Sequence, residues 1–288
     1  MERETKHAIV LFVALIAVVV LILGGVSHAS GLNPPFTTVN SWSMQHGEES
    51  QLGVIDTGDM VLVKSPDKVD IVSYVEGSQT GYSKFGDYGD VIIYKRGADQ
   101  NPVIHRAILY LEYNGNGTWN APALKDFPGD RWSSSGGTGY NNLSGTLTIS
   151  GLRYTHNINA SLNLDKLAEE NSHSGYVTMG DYNTAFDQSA GITAGLIENE
   201  RIKSVAWIEV PWVGSIKMLW TDNASALDTM VPNSVPSLAV SLISIVFVLL
   251  ALSFVYDHRT YVRIRKELEK DKMTPTPSFP LETEDNKK

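Results

Sequence analysis

The chain has 288 residues, of which 42 % are apolar, with a formal net charge of −9 and no cysteine. This length allows one large domain or two small ones. The missing cysteine excludes disulfides, a thiol nucleophile and any cysteine-based metal site. The acidic balance disfavours a nucleic-acid partner, because binding to phosphate groups requires basic side chains.

Two long apolar runs, Ala8–Val26 and Val235–Tyr256, lie near the two ends of the sequence. Each is about 20 residues long, which is the length needed to cross a bilayer core. Neither contains a charged side chain, whose burial near the centre of a membrane helix would cost several kcal/mol. We therefore predict transmembrane helices over residues 8–30 and 235–256.

The first apolar run could instead be a secretory signal that is cleaved off. Ser27-His28-Ala29 offers small residues where such a cleavage would occur. Two features favour an uncleaved anchor: the run is longer than the usual signal core, and Met1–His7 carries as many acids as bases. Self-processing near Ala29 is a further hypothesis from the same residues.

The basic residues near the second run predict the orientation in the membrane. Asp257–Lys266 contains four Arg or Lys residues, which is typical of a cytoplasmic flank. With two spans, residues 1–7 and 257–288 are then cytoplasmic and residues 31–234 lie outside. Glu267–Lys288 is charged and contains proline, so we expect disorder there. Four glycosylation sequons all fall in the outer segment, starting at Asn116, Asn142, Asn159 and Asn223.

The outer segment reads mostly as β-structure. Short runs rich in β-branched and aromatic residues are bounded by Gly, Asp, Pro and Asn, as is typical of strands. The predicted strands lie at 60–63, 90–94, 103–110, 176–179 and 205–210. Between about residues 111 and 174 the composition shifts to Asn, Gly, Ser and Thr, which indicates an insertion of hairpins and loops. Leu162–Glu170 is predicted as a short helix within it.

Three segments of the outer part contain side chains suited to acyl-transfer chemistry. Ser41-Trp42-Ser43-Met44 offers Ser43 as a nucleophile, with Ser41 two residues away as a donor to an oxyanion. His105 lies in an otherwise apolar strand and could act as the base. Asp181 and Asp187 follow another strand, and either could orient an imidazole. Taken singly, each segment has a plainer interpretation: a polar loop, a hydrogen-bonded core histidine, and a structural or calcium-binding turn. The acid spacing does not fit an EF-hand loop.

In their order and their position beside a span, these segments resemble type I signal peptidases of the archaeal and endoplasmic-reticulum branch. The resemblance runs in register from about residue 37 to 216, interrupted by the insertion. Five segments carry it: Ser41-Trp42-Ser43-Met44, Thr57–Val63, Gly89–Lys95 with Val103–Arg106, Gly180–Asn183 with Asp187, and Val210–Gly214.

The resemblance implies a mostly β fold: a signal-peptidase-type catalytic domain with a loop and hairpin insertion, flanked by two transmembrane helices. It implies a serine endopeptidase that removes signal peptides, with Ser43 as nucleophile, His105 as base, Asp187 as the essential acid and Asp181 in a supporting role. Ser41 completes the oxyanion hole, and neither a metal nor an organic cofactor is needed. The implied partners are preprotein signal peptides and the lipid bilayer, with a secretion translocon as a further candidate.

One departure from the family pattern concerns the first segment. The family has a proline two residues after the Met, and this chain has His46 there, which puts a second imidazole near Ser43. Two alternatives stay open. Lys64 or Lys95 could serve as the base after burial lowers its pKa. The chain could also be a non-catalytic adhesion or assembly protein on a surface β-scaffold, with the insertion as its binding part.

Overall fold

A computed structural model describes residues 2–97, 100–170, 173–221 and 224–273. The chain divides into two compact units, Met1–Leu238 and the part from Ala239 onward. The first unit is built on a ten-stranded sheet, and a separate two-stranded sheet lies within it. Every strand pairing is antiparallel, which confirms the expectation of a mostly β protein.

Within the described residues, twelve strands form the two sheets, and six α-helices and three 3-10 turns accompany them. They are β1 (Phe36–Thr38), β2 (Met60–Lys64), β3 (Ser83–Lys84), β4 (Asp87–Tyr88), β5 (Val91–Tyr94), β6 (Val103–Tyr113), β7 (Trp119–Asn120), β8 (Trp132–Thr138), β9 (Asn141–Leu152), β10 (Ile158–Asn163), β11 (Gly175–Met179) and β12 (Ile202–Val210). The α-helices are α1 (Glu2–Ser30), α2 (Tyr74–Thr80), α3 (Leu164–Glu170), α4 (Gly214–Leu219), α5 (Ala224–Met230) and α6 (Ser234–Met273). The short 3-10 turns lie at Pro66–Lys68, Pro122–Leu124 and Asn199–Arg201.

Strand β6 connects the two halves of the large sheet. The strand order is β1-β2-β12-β5-β6-β7-β9-β10, while β11 also pairs with β6 and β8 with β9. The first residues of β6 pair with β5, its middle with β11 and its last two with β7. The insertion is therefore part of the same sheet. It contains strands β7 to β10 joined by turns, in line with the expected hairpins and loops, and its helix α3 begins at Leu164 instead of Leu162.

The apolar core of the first unit lies on both sides of β6. One cluster joins the insertion to the rest of the sheet, with buried Ile108 and Leu109 of β6 packed among side chains of β9, α3 and β11. A second cluster contains Met44 together with Val39, Ile55 and Val61. Met44 is fully buried, so it fixes the segment next to Ser43 to the sheet.

In the described part of the chain, two helices are long and apolar enough to cross a membrane, over Phe12–Ser30 and Ser234–Glu269. Helix α1 runs without a break through Ser27–Ala29 to Ser30. Helix α6 continues to Met273, because its apolar part extends into a charged helical segment. The expectation of disorder from Glu267 onward is therefore wrong for the residues up to Met273. The rest of that tail lies outside the described residues.

The sequons at Asn116, Asn142 and Asn159 are exposed to solvent. Their exposure is compatible with modification, but the side of the membrane stays a prediction. The fourth sequon, at Asn223, lies outside the described residues.

Candidate active site

The loop that carries Ser43 lies between β1 and β2 and is anchored immediately after the serine. Met44 and Gln45 are both buried. The Gln45 side chain donates to the carbonyls of Gly47 and Met230 and accepts from the Thr57 hydroxyl at 2.6 Å. These contacts hold the backbone next to Ser43 in place. Ser43 itself is partly exposed, and its position relative to the sheet is fixed.

The hydroxyls of Ser41 and Ser43 face each other, with their Oγ atoms 3.3 Å apart. Ser41 is exposed and Ser43 is partly exposed. The two-residue spacing therefore places both hydroxyls on the same side of the loop. A hydroxyl beside a nucleophilic serine is suited to donate to an oxygen that becomes negatively charged.

His105 and Asp187 form a buried pair. His105 Nδ1 lies 2.7 Å from Asp187 Oδ2, and the side chains are 4 % and 0 % exposed. Burial by itself raises the pKa of Asp187, but the positive charge that His105 can carry and hydrogen bonds from three neighbours hold that pKa below its ordinary value. An ionised carboxylate only accepts hydrogen bonds, so Nδ1 carries a proton and Nε2 is left with a free lone pair.

Asp187 Oδ2 also accepts hydrogen bonds from two hydroxyls. Tyr94 donates at 2.7 Å and Thr178 at 2.6 Å. Burial and the nearby charge of Asp187 raise the pKa of Tyr94, so its hydroxyl stays protonated and able to donate. Three donors therefore meet at one oxygen, while Asp187 Oδ1 has no hydrogen-bond partner among the described residues.

Gly180 brings the serine loop and the histidine together. A Cβ atom at this position would lie 2.4 Å from the Ser43 carbonyl oxygen and 2.9 Å from His105 Nε2. Only glycine permits so close an approach. The following turn is tied to the same place, because the Tyr182 N–H donates to the Ser43 carbonyl at 2.9 Å. The Tyr182 ring also packs against Trp42, with centroids 5.6 Å apart.

A cleft of about 650 Å³ opens at this junction. Its lining contains Ser41, Ser43 and His105, with Asn183 beside them and Thr37 to Asn40 along one wall. Ser41 is the single hydrogen-bond partner of the Ser43 hydroxyl within the described residues, and no hydrogen bond joins Ser43 to His105. In enzymes without substrate the bond between nucleophile and base is often long and shortens when substrate binds.

Asp181 faces a different partner from Asp187. Neighbouring residues of a strand point to opposite faces, so His105 and Arg106 reach different carboxylates. The Arg106 guanidinium is fully buried and binds both oxygens of Asp181, with Nε to Oδ1 at 2.8 Å. Burial raises the pKa of Asp181, but Arg106 and His46 together bring it below the ordinary value.

Arg106 also donates to backbone carbonyls of the β3–β4 hairpin and of the residue after it. Its Nη1 reaches the carbonyl oxygens of Lys84, Asp87, Tyr88 and Gly89. Asp181 and Arg106 thus form a structural pair that ties the turn after β11 to this hairpin. Asp181 is close to the catalytic candidates without contacting His105.

His46 belongs to this second pair. Its Nε2 lies 3.1 Å from Asp181 Oδ2. Its ring stacks on Tyr154 of the insertion, with centroids 4.1 Å apart. The second imidazole near Ser43 is therefore directed at Asp181.

The two lysines considered as alternative bases lie outside the cleft lining. Lys64 Nζ sits over the Trp207 ring, 4.4 Å from its centroid. Lys95 is exposed. Two other basic side chains line the cleft, Arg96 and Lys217, and both are exposed.

Comparison of the chain with protein-family models, curated proteins and solved structures finds no match. The function therefore has to be inferred from the geometry of the site. The described residues contain no group of three or more His, Asp or Glu side chains that could hold a metal ion.

Sequence reasoning missed four side chains of the site. Tyr94 and Thr178 were not connected to Asp187, because these residues meet only through the pairing of β5, β6 and β11. Arg106 could have been recognised from the sequence, because it lies in an apolar strand directly after His105. A charged side chain in such a strand needs a buried partner of opposite charge. Tyr154 offered none, because it lies in a polar turn of the insertion.

Proposed function

We propose that the chain is a membrane-anchored serine endopeptidase of the signal-peptidase type, which removes N-terminal signal peptides from secreted preproteins. The observation that carries the proposal is that His105, which lines the cleft together with Ser41 and Ser43, lies 2.7 Å from the buried Asp187. This arrangement supports Ser43 as nucleophile, His105 as base, Asp187 as orienting acid and Ser41 as oxyanion donor.

In the proposed reaction, His105 Nε2 takes the proton of the Ser43 hydroxyl while Ser43 Oγ attacks the carbonyl carbon of the scissile peptide. Asp187 holds the Nδ1–H tautomer and stabilises the imidazolium that forms. The Ser43 N–H and the Ser41 hydroxyl donate to the oxyanion. The imidazolium then gives its proton to the leaving amine, and a water molecule activated by His105 hydrolyses the acyl-enzyme.

The shape of the cleft supports a peptide substrate. Residues Thr37 to Asn40 and Val103 to His105 provide strand backbone on two sides of it. An extended peptide can add to such strands by main-chain hydrogen bonds. Signal peptides become extended where they leave the bilayer. Ser43 follows the apolar span Phe12–Ser30 closely in the chain, which supports a substrate that leaves the bilayer nearby.

The test is cleavage of a purified preprotein by the full-length chain in liposomes. Wild type is expected to release the mature protein, and Ser43→Ala to release none. A fluorophosphonate probe, which reacts only with an activated serine, is expected to label wild type at Ser43. Intact preprotein and an unlabelled wild type would reject the proposal and favour a non-catalytic surface protein.

The identity of the base is tested with substitutions at His105 and the two lysines. His105→Ala is expected to lower cleavage by about 10⁶-fold, as the loss of the histidine base does in a serine protease. Lys64→Ala and Lys95→Ala are expected to keep wild-type rates. Full activity in His105→Ala with loss in Lys95→Ala would overturn the assignment.

A further inference from the structure

The turn between β9 and β10, residues 153–157, reaches from the insertion to the residues around Ser43. Tyr154 stacks on His46 with an angle of 12° between the ring planes. His46 follows Ser43 by three residues and is hydrogen-bonded to Asp181. Tyr154 therefore covers one side of the loop that carries the nucleophile.

The neighbouring residue makes a second contact with the same region. The Arg153 guanidinium lies 4.8 Å from the centroid of the Tyr182 ring and 5.0 Å from that of Tyr154. Tyr182 in turn donates its backbone N–H to the Ser43 carbonyl. A cation placed over an aromatic face is held there by the ring's negative potential. Arg153 thus holds in place the side chain of Tyr182, whose backbone N–H binds the Ser43 carbonyl.

The turn itself is firmly held in a strained conformation. Arg153 and His156 have φ angles of 72° and 51°, in the left-handed region that side chains other than those of Gly and Asn rarely adopt. His156 Nδ1 lies 3.0 Å from the hydroxyl of Tyr74, which is buried in α2. Arg153 Nε is buried without a hydrogen-bond partner among the described residues. Strain of this kind persists where the surrounding structure imposes a particular geometry.

We propose that Arg153 and Tyr154 are positioning residues that fix the Ser43 loop from the insertion. Two routes converge on the loop: Tyr154 acts on it through His46, and Arg153 through Tyr182. The inference rests on the proposed function, and it assigns to the insertion a role in arranging the nucleophile. A loop displaced by less than 1 Å loses reactivity while the rest of the fold stays intact.

The experiment measures two quantities on the full-length chain in detergent. The first is the labelling rate of Ser43 by a fluorophosphonate, which requires an arranged nucleophile. The second is hydrogen–deuterium exchange of the Tyr182 amide, which reports directly on its bond to the Ser43 carbonyl. We expect Arg153→Ala and Tyr154→Ala each to slow labelling and to speed amide exchange by about tenfold.

Matched variants separate positioning from folding. Tyr154→Phe keeps the stacked ring and loses only the 3.3 Å hydrogen bond that its hydroxyl accepts from Arg153, so it is expected to keep most of the wild-type labelling rate. Lys64→Ala removes a cation from an aromatic ring elsewhere and is expected to change neither quantity. Arg153→Met keeps the length of the side chain without its charge, and it replaces Arg153→Ala if that variant does not fold. Thermal unfolding midpoints within about 2 °C of wild type show that the fold is kept.

A labelled wild type with unchanged rates in Arg153→Ala and Tyr154→Ala would overturn the inference and leave the proposed function standing. Faster exchange at Tyr182 with unchanged labelling would also overturn it, since the loop would then move without consequence for Ser43. A wild type that is not labelled at all rejects the proposed function itself.

Discussion

The Tyr94 hydroxyl donates a 2.7 Å hydrogen bond to Asp187 Oδ2, the oxygen that also lies 2.7 Å from His105 Nδ1. With Thr178 as a third donor, the carboxylate is fixed in rotation and kept ionised although it is buried. A buried carboxylate without such donors would take up a proton and lose its hold on the imidazole. The two hydroxyls therefore add to the effect of the His105 charge and hydrogen bond in keeping Asp187 ionised.

Removing either hydroxyl should impair catalysis more than binding. Tyr94→Phe and Thr178→Val are each expected to lower kcat for preprotein cleavage by about tenfold, with KM little changed, because a hydrogen bond to a charged group contributes about 1.5 kcal/mol or more. Thr178→Ser keeps the hydroxyl and should restore most of the rate. Steady-state kinetics in detergent check this, and unchanged kcat in both variants would show that His105 alone orients Asp187.

Gly180 should not tolerate even one added methyl group. In Gly180→Ala the Cβ atom would lie 2.4 Å from the Ser43 carbonyl and 2.9 Å from His105 Nε2, so the two catalytic segments must separate. We expect at least about a 100-fold loss of cleavage, as for a 1 Å misplacement of reacting groups. Gly129→Ala is the control, since nothing lies within 4 Å of its Cβ position. Equal activities of the two variants would refute the close approach.

Replacing Asp181 should lower the free energy of unfolding, whereas its effect on the cleavage reaction should be indirect. Asp181→Ala leaves the fully buried Arg106 guanidinium without its carboxylate, which costs about 3–5 kcal/mol. Urea unfolding followed by circular dichroism measures this loss. The double variant Asp181→Leu with Arg106→Met removes both charges and is expected to regain a large part of it. A single variant as stable as wild type would mean that the backbone carbonyls alone hold Arg106.

The fold should lose stability as the pH rises from 5 to 8. Burial, together with the nearby charges of Glu209 and Asp56, raises the pKa of Asp59 to about 8, although two backbone N–H groups donate to its carboxylate. Because the unfolded chain releases this proton near pH 4 and the folded chain retains it, the favourable contribution is complete below pH 4 and is lost as the pH approaches 8. The pKa of Glu209, raised by burial to about 7, acts in the same direction.

Urea titrations at pH 5 and pH 8 test this dependence. We expect the free energy of unfolding to be about 2 kcal/mol lower at pH 8. Asp59→Asn carries no titrating proton at this position and should show a clearly smaller difference between the two pH values. An equal difference in wild type and Asp59→Asn would remove Asp59 as its source.

The sequence predicted the strands of the site well, because β2, β5, β6, β11 and β12 are dense in β-branched residues. It predicted hairpins and loops for the insertion but not which residues form its strands, because Trp132–Thr138 is rich in Ser and Gly and has a weak strand preference of its own. That segment becomes β8 only through pairing with β9, a contact that local composition does not encode. Long-range pairing likewise decides that Tyr94 and Thr178 meet at Asp187.

The candidate site could be predicted as a set of residues but not as a geometry. Ser43, His105 and Asp187 come from the order of their segments, and the alternation along β6 implies that His105 and Arg106 face opposite sides. Asp181 pairs with Arg106, and His46 stacks on Tyr154 in a turn of the insertion. Both contacts join residues far apart in the chain, so the local sequence does not predict them.

The passage of β6 from the part of the sheet that holds His105 into the insertion restricts how the chain can be engineered or can diverge. Residues are added or lost at little cost only at hairpin tips, such as Gly115–Gly117 and Gly139–Tyr140, where the chain already turns back on itself. Inserting or deleting one residue within β6 would instead shift the register of His105 against the neighbouring strands. Affinity tags and fluorescent reporters therefore belong at those tips. A variant lacking residues 111–174 would lose strands β7 to β10 and the end of β6, together with the contacts that Arg153 and Tyr154 make near Ser43.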